Sequence, residues 1–130
     1  MKAVGNDRTG QERLVNQLVS VVPEFSPVLR EHKEINGELL PHVLFGNLTR
    51  WVIDLYRQAK GRPTTREGQD KILDRTLTFL EQRFSDPRDA TAHDLIAVSF
   101  LENLHQAGPD YHGIKERLGP HLRNWLSRLE

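Results

Sequence analysis

Six of the seven residues from Leu95 to Leu101 are apolar, with Ser99 the one interruption, and no other stretch limits the fold so strongly. A surface helix needs an apolar stripe little wider than about 100°, with polar residues opposite. Here two successive turns are apolar all round, so other elements must cover them on several sides. A buried strand is the competing assignment, since periodicity alone does not separate the two for a short apolar run. Length decides for a helix. Asp86-Pro87 supplies an N-cap and a proline for the first helical position, and Gly108-Pro109 supplies a stop about twenty residues later. The pattern predicts one long central helix over about Pro87–Gln106, with the other helices packed around it.

The flanking sequence agrees with an all-α chain. Leu14, Val15, Leu18, Val21 and Val22 fall at helical spacing within Gln11–Val22, and Pro23 ends that pattern. Ser26-Pro27 opens a second helix that closes at Asn36-Gly37, with Phe25 at the position of a hydrophobic staple. Its few apolar residues (Val28, Leu29, Ile35) place it on the outside. From Pro41, Val43, Leu44, Leu48, Trp51, Val52, Leu55 and Tyr56 recur at spacings of three and four. Gly46 is expected to loosen or break that helix, with Asn47 as a fresh cap. Gly61–Gly68 reads as a loop, charged and without apolar residues. Gln69–Phe84 is amphipathic, Pro109–Leu118 is a short helix, and His121–Leu129 closes the chain. The expected fold is a compact all-α bundle of six to seven helices around the central one, with residues 1–10 a flexible N-terminus and 11–130 a single domain.

A chain of 130 residues buries roughly two-thirds of its unfolded surface. It has no cysteine, which excludes disulfides, thiolate metal sites and a cysteine nucleophile and suits a reducing cytoplasm. No apolar stretch approaches the roughly 20 residues of a membrane helix, and the N-terminus lacks the apolar core of a signal peptide. Eighteen basic residues balance eighteen acidic ones, leaving no net field to draw nucleic acid or membrane. A cytoplasmic location, with neither as partner, is expected.

Motifs that would carry catalysis are weak. Glu102 and His105 form one E-x-x-H pair, whereas a di-iron bundle needs two such pairs and two further glutamates. Asp89, His93, His112 and His121 match no set of several ligands on one helix. Ser99 has no G-x-S-x-G turn, and its hydroxyl is expected to bond a carbonyl one turn back. There is neither a P-loop nor G-x-G-x-x-G. The expectation is therefore no catalytic residue, no cofactor and no metal. His42-Val43-Leu44-Phe45-Gly46 resembles the H-x-L-K-G core of histidine phosphotransfer domains, which implies a phosphoryl-accepting imidazole at His42 with room beside Gly46. Phe45 stands where that family has lysine, and Pro41 places His42 in a first turn instead of mid-helix. A metal-dependent helical enzyme is a further alternative, requiring Glu102 and His105 to converge with His93 or His112.

Four segments together carry a broader resemblance: PEF at 23–25, NGELLPHVLFGNLTRWVIDLY at 36–56, DLIAVSFLENL at 94–104 and LGPHL at 118–122. In this order they resemble a family of small uncharacterised helical bacterial proteins that are similar to immunity proteins of polymorphic toxin systems. That resemblance implies a non-enzymatic protein-binding module whose partner is another protein, a cognate toxin in the specific case. Asn47, Arg50, Trp51 and Arg57 place arginine and aromatic side chains, types enriched at binding hot spots, on one helix. Glu102 and Asn103 are polar residues directly after the apolar run. These six are the expected partner contacts. Zero net charge implies modest electrostatic steering, and an isologous homodimer through an apolar helix face is compatible with the same pattern.

Overall fold

Leu14, Leu18, Leu44, Leu48, Leu73, Leu80 and Phe100 are all almost fully buried and belong to one continuous core. The computed structural model describes residues 8–61 and 63–130, which form seven α-helices and no strand. They are α1 (Arg8–Val21), α2 (Ser26–Asn36), α3 (Pro41–Gly61), α4 (Pro63–Phe84), α5 (Ala90–Leu95), α6 (Tyr111–Arg117) and α7 (Pro120–Leu129). Residues 1–7 of the expected flexible terminus lie outside the described residues. Arg8, Thr9 and Gly10 instead start α1, where Arg8 pairs with Glu12 one turn on.

α3 and α4 run antiparallel, since Gln69 near the start of one donates to Gln58 near the end of the other. α3 is unbroken at Gly46. The glycine's cost of about 1 kcal/mol is outweighed by the burial of Leu44, Phe45 and Leu48 around it. The loop expected over Gly61–Gly68 is also corrected: Gly61 ends α3, Pro63 opens α4, and Arg62 lies outside the described residues. Proline at a first helical position starts a helix as readily as it ends one. A charged stretch without apolar residues says only that no core face is required there.

The α2 boundary is set differently from the sequence expectation. Pro23–Phe25 forms a 3-10 turn that runs directly into α2, so Ser26 is its first helical residue and not its cap. At the other end Gly37 takes a φ of +75° and donates to Lys33 O, the left-handed closure that favours glycine. The only buried side chain of α2 is His32. Its Nε2 accepts the Leu40 N–H at 2.9 Å, fixing the link into α3.

The central segment departs most from expectation. It begins at Ala90, where Asp89 accepts the Ala92 N–H at 3.0 Å. Asp86, the expected cap, instead accepts the Arg88 N–H at 2.9 Å and closes a turn. The chain winds as an α-helix to Leu95, as a π-turn over Ile96–Phe100, and as a 3-10 stretch over Leu101–Asp110 kinked at Gly108, whose φ is +57°. It lies beside α3 and runs in the same direction: His42 meets Ser99, Thr49 meets Ser99 and Phe100, and Arg57 meets Ala107 and Asp110. α7 closes the bundle. Its first turn is capped from α4 by Glu81, whose carboxylate accepts the N–H groups of His121 and Leu122, each at 3.1 Å. Among the described residues no helix is long and apolar enough to cross a membrane.

Candidate functional site

A π-turn leaves carbonyls out of the ordinary helical ladder, and such turns occur frequently at functional sites. Here the Leu101 N–H is shared between the carbonyls of Ala97 and Ile96. Side chains bond carbonyls at the end of the turn. The fully buried Thr49 hydroxyl lies 3.1 Å from the carbonyl oxygens of Phe45 and Phe100 and 3.4 Å from that of Ser99. Asn103 Nδ2 donates to Ser99 O at 2.9 Å. The Ser99 hydroxyl bonds His42 Nδ1 at 2.5 Å, not the carbonyl one turn back that the sequence suggested, because the wide turn carries it against α3.

The inner side of this segment is buried, and its outer side is a narrow stripe. Asp94, Val98, Glu102 and His105 are exposed at spacings of four, four and three, with buried or, at Asn103, half-buried residues between them. Three of these four are polar or charged. Val98 is not, yet it is 52% exposed. Val43, next to His42, is 47% exposed, so an exposed valine sits beside each residue of the His42–Ser99 pair. A Cβ added to Gly46, one turn after His42, would meet nothing within 4 Å. Each end of the His42–Ser99 bond thus has an exposed apolar residue next to it in the chain.

Past Glu102 the stripe enters a cleft of about 630 Å³ between the 3-10 stretch, α6 and α7. Leu101 and Leu126 line it as buried residues, and Leu129 is 52% exposed at its edge. Glu102, His105, His112 and Glu130 supply its polar groups. Glu130 is already engaged, accepting from Lys115 at 2.8 Å and from Tyr111 at 2.7 Å. Burial, followed by that carboxylate, pushes the Tyr111 phenol up to about 12. The Glu102 carboxylate makes no ion pair among the described residues. His105 Nδ1 donates to Glu102 O at 2.7 Å.

The six expected contacts divide. Trp51 is half-buried and meets the edge of Phe25, ring centres 5.1 Å apart. Arg57 binds Asp110 at 2.8 Å and Ala107 O at 3.2 Å, pinning the kinked end of the central segment. Both are committed to the fold. Asn47 and Arg50 bond each other on the outer side of α3. Asn103 ties down the π-turn, and Glu102 is exposed on the stripe. Val43, Val98, Thr49 and Leu129 were not among the expected contacts. The four-residue spacing of Val98 from both Asp94 and Glu102 was the available signal.

His42 is exposed, but in the first turn of α3, and Phe45 is fully buried. Glu102, His105 and His112 share the cleft, whereas His93 lies on the other side of α7. There it stacks on Phe84 at 4.2 Å, beside Trp125, in a second cleft of about 430 Å³. Among the described residues no three histidine, aspartate or glutamate side chains are grouped to hold a metal ion.

The fold and these surfaces define the class: an all-α bundle built on a π-wound central segment. The chain belongs to the family described as a domain of unknown function, DUF7674, whose model matches residues 15–130. No curated protein and no solved structure matches it.

Proposed function

We propose that the chain acts by binding another protein, and that this partner is a toxin which the bound complex holds inactive. One observation carries the reading. On the solvent stripe of the central segment Val98 is half exposed next to Ser99 in the chain, and Val43 is half exposed next to His42, the residue that Ser99 bonds. A lone exposed valine needs no explanation. Two exposed valines, each next in the chain to a residue of the His42–Ser99 hydrogen bond, with open space at Gly46 and, among the described residues, no ion pair at Glu102, support a contact surface there. A surface that does not reorganise on binding avoids part of the ordering cost of association. The four segments resemble an uncharacterised helical family that is similar to immunity proteins, and that resemblance is what supports toxin as the partner class.

The test is co-expression with the product of a neighbouring toxin-like gene. The wild-type chain should restore growth and co-purify in stoichiometric amount, and Val98→Asp, with its folding checked by circular dichroism, should do neither. Rescue by Val98→Asp equal to wild type would overturn the reading, as would the lack of any stoichiometric partner.

A second reading rests on His42. Its imidazole is exposed, with Nδ1 tied to Ser99 and open space at Gly46, which leaves Nε2 for a phosphoryl group. Incubation with a phosphorylated receiver domain should then give a phosphohistidine signal by phosphorus NMR that is lost in His42→Gln. No signal would end this reading.

A further inference from the structure

The cleft beside α7 presents acceptors over an apolar floor. A carbonyl oxygen only accepts, so the 2.7 Å bond from His105 Nδ1 to Glu102 O places the imidazole hydrogen on Nδ1. In the neutral ring Nε2 then carries the lone pair. Three residues away, the Glu102 carboxylate has no cationic partner among the described residues and adds its acceptor oxygens. Leu101 and Leu126 line the cleft beneath, and Leu129 stands half exposed beside it. Two neighbouring acceptors, one charged, beside an aliphatic surface call for a forked cationic donor on an apolar stem. Arginine has that form. Its planar guanidinium carries five N–H donors and no acceptor, and its methylene stem packs against apolar surface.

We infer that this cleft takes an arginine side chain of the partner protein, set next to an aliphatic residue that covers Leu129. The inference rests on the protein-binding reading and names the chemistry of the partner. It also separates the roles of two contacts: Val98 for apolar attachment, Glu102 for recognition of charge.

The test uses two peptides, acetyl-Trp-Leu-Arg-Leu amide and its citrulline counterpart, which keeps the shape and loses the charge. Each is titrated into the full chain and followed by amide and imidazole NMR shifts. The arginine peptide should shift Glu102, His105 and Leu129 and bind about fivefold more tightly than the citrulline peptide, the upper range for a solvent-accessible ion pair. Glu102→Gln should remove that difference, and Val98→Asp should leave it intact. Equal binding of the two peptides, shifts confined to other surfaces, or no shifts would each overturn the inference. Failure here with intact, Val98-dependent capture of a partner would leave the binding reading standing. Loss of that capture with a normal peptide response would do the reverse.

Discussion

The two ends of α3 hold the same neighbouring segment by opposite means. At the N-terminal end, Thr49 and His42 bind the π-turn through hydrogen bonds to uncharged groups, and Thr49 is fully buried. Just before Pro41, the buried His32 holds Leu40 N–H in the same neutral way. At the C-terminal end, Arg57 and Lys60 hold Asp110 beside the Gly108 kink through ion pairs whose basic partners are about half exposed. Buried polar groups cost their full desolvation when a partner is removed; Asp110 is buried too, but its partners reach solvent, so salt screens these ion pairs as it does not screen neutral hydrogen bonds. The N-terminal end should therefore be the rigid one, and it carries the exposed valines.

The largest effect is expected from Phe100→Ala, which empties a fully buried site in the π-turn and should cost about 3–5 kcal/mol in urea unfolding. A cost under about 1 kcal/mol would mean that this end is loosely packed. Thr49→Val keeps the shape but strips the Phe100 carbonyl of its donor. It should cost about 1–3 kcal/mol, independent of salt; a salt-dependent loss would contradict the neutral character assigned here.

Acid separates the two ends. Burial, and to a lesser extent the nearby Lys33 charge, lowers the pKa of His32 below its ordinary 6.5. The unfolded chain then binds the proton more readily. The contribution of neutral His32 is complete above 6.5 and is lost as pH falls through the folded value, with a slope of at most about 1.4 kcal/mol per pH unit. His32→Gln should flatten the stability curve in that window, and an unchanged slope would show that another group titrates there. At the other end, hydrogen bonds from Lys60 and then Arg57 hold Asp110 below its ordinary 3.8. Its contribution is present above 3.8 and is lost as pH falls through the folded value. Asp110→Asn should lower the melting temperature slightly at low salt and less at high salt. A salt-independent drop would place Asp110 with the buried anchors. The smallest effects on stability, within about 0.5 kcal/mol, are expected from Val98→Asp and Glu102→Gln, whose consequences should appear in binding alone.

Much of this fold was legible from residue spacing. The stripes in α1, α3, α4 and α7 and the stops at Pro23, Gly37, Gly108 and Gly119 follow local rules of backbone conformation and burial. Boundaries failed where one residue type serves two purposes. Pro63 opened a helix in a stretch that read as loop, and Asp86 closed a turn while Asp89 took the cap. The candidate site was less legible. Arg57 and Trp51 are hot-spot residue types, but Asp110 and Phe25, more than twenty-five positions away in the chain, commit them to the fold.

The sequence by itself determined that Leu95–Leu101 would be covered by other helices, because that much apolar surface is not stable in water. Only the tertiary structure decided that the segment winds as a π-turn, since the Thr49 hydroxyl that lies against its Ser99 and Phe100 carbonyls comes from another helix. The same packing decided which of its apolar residues stays outside: α3 and the core cover the other sides and leave Val98 on the solvent stripe with Glu102.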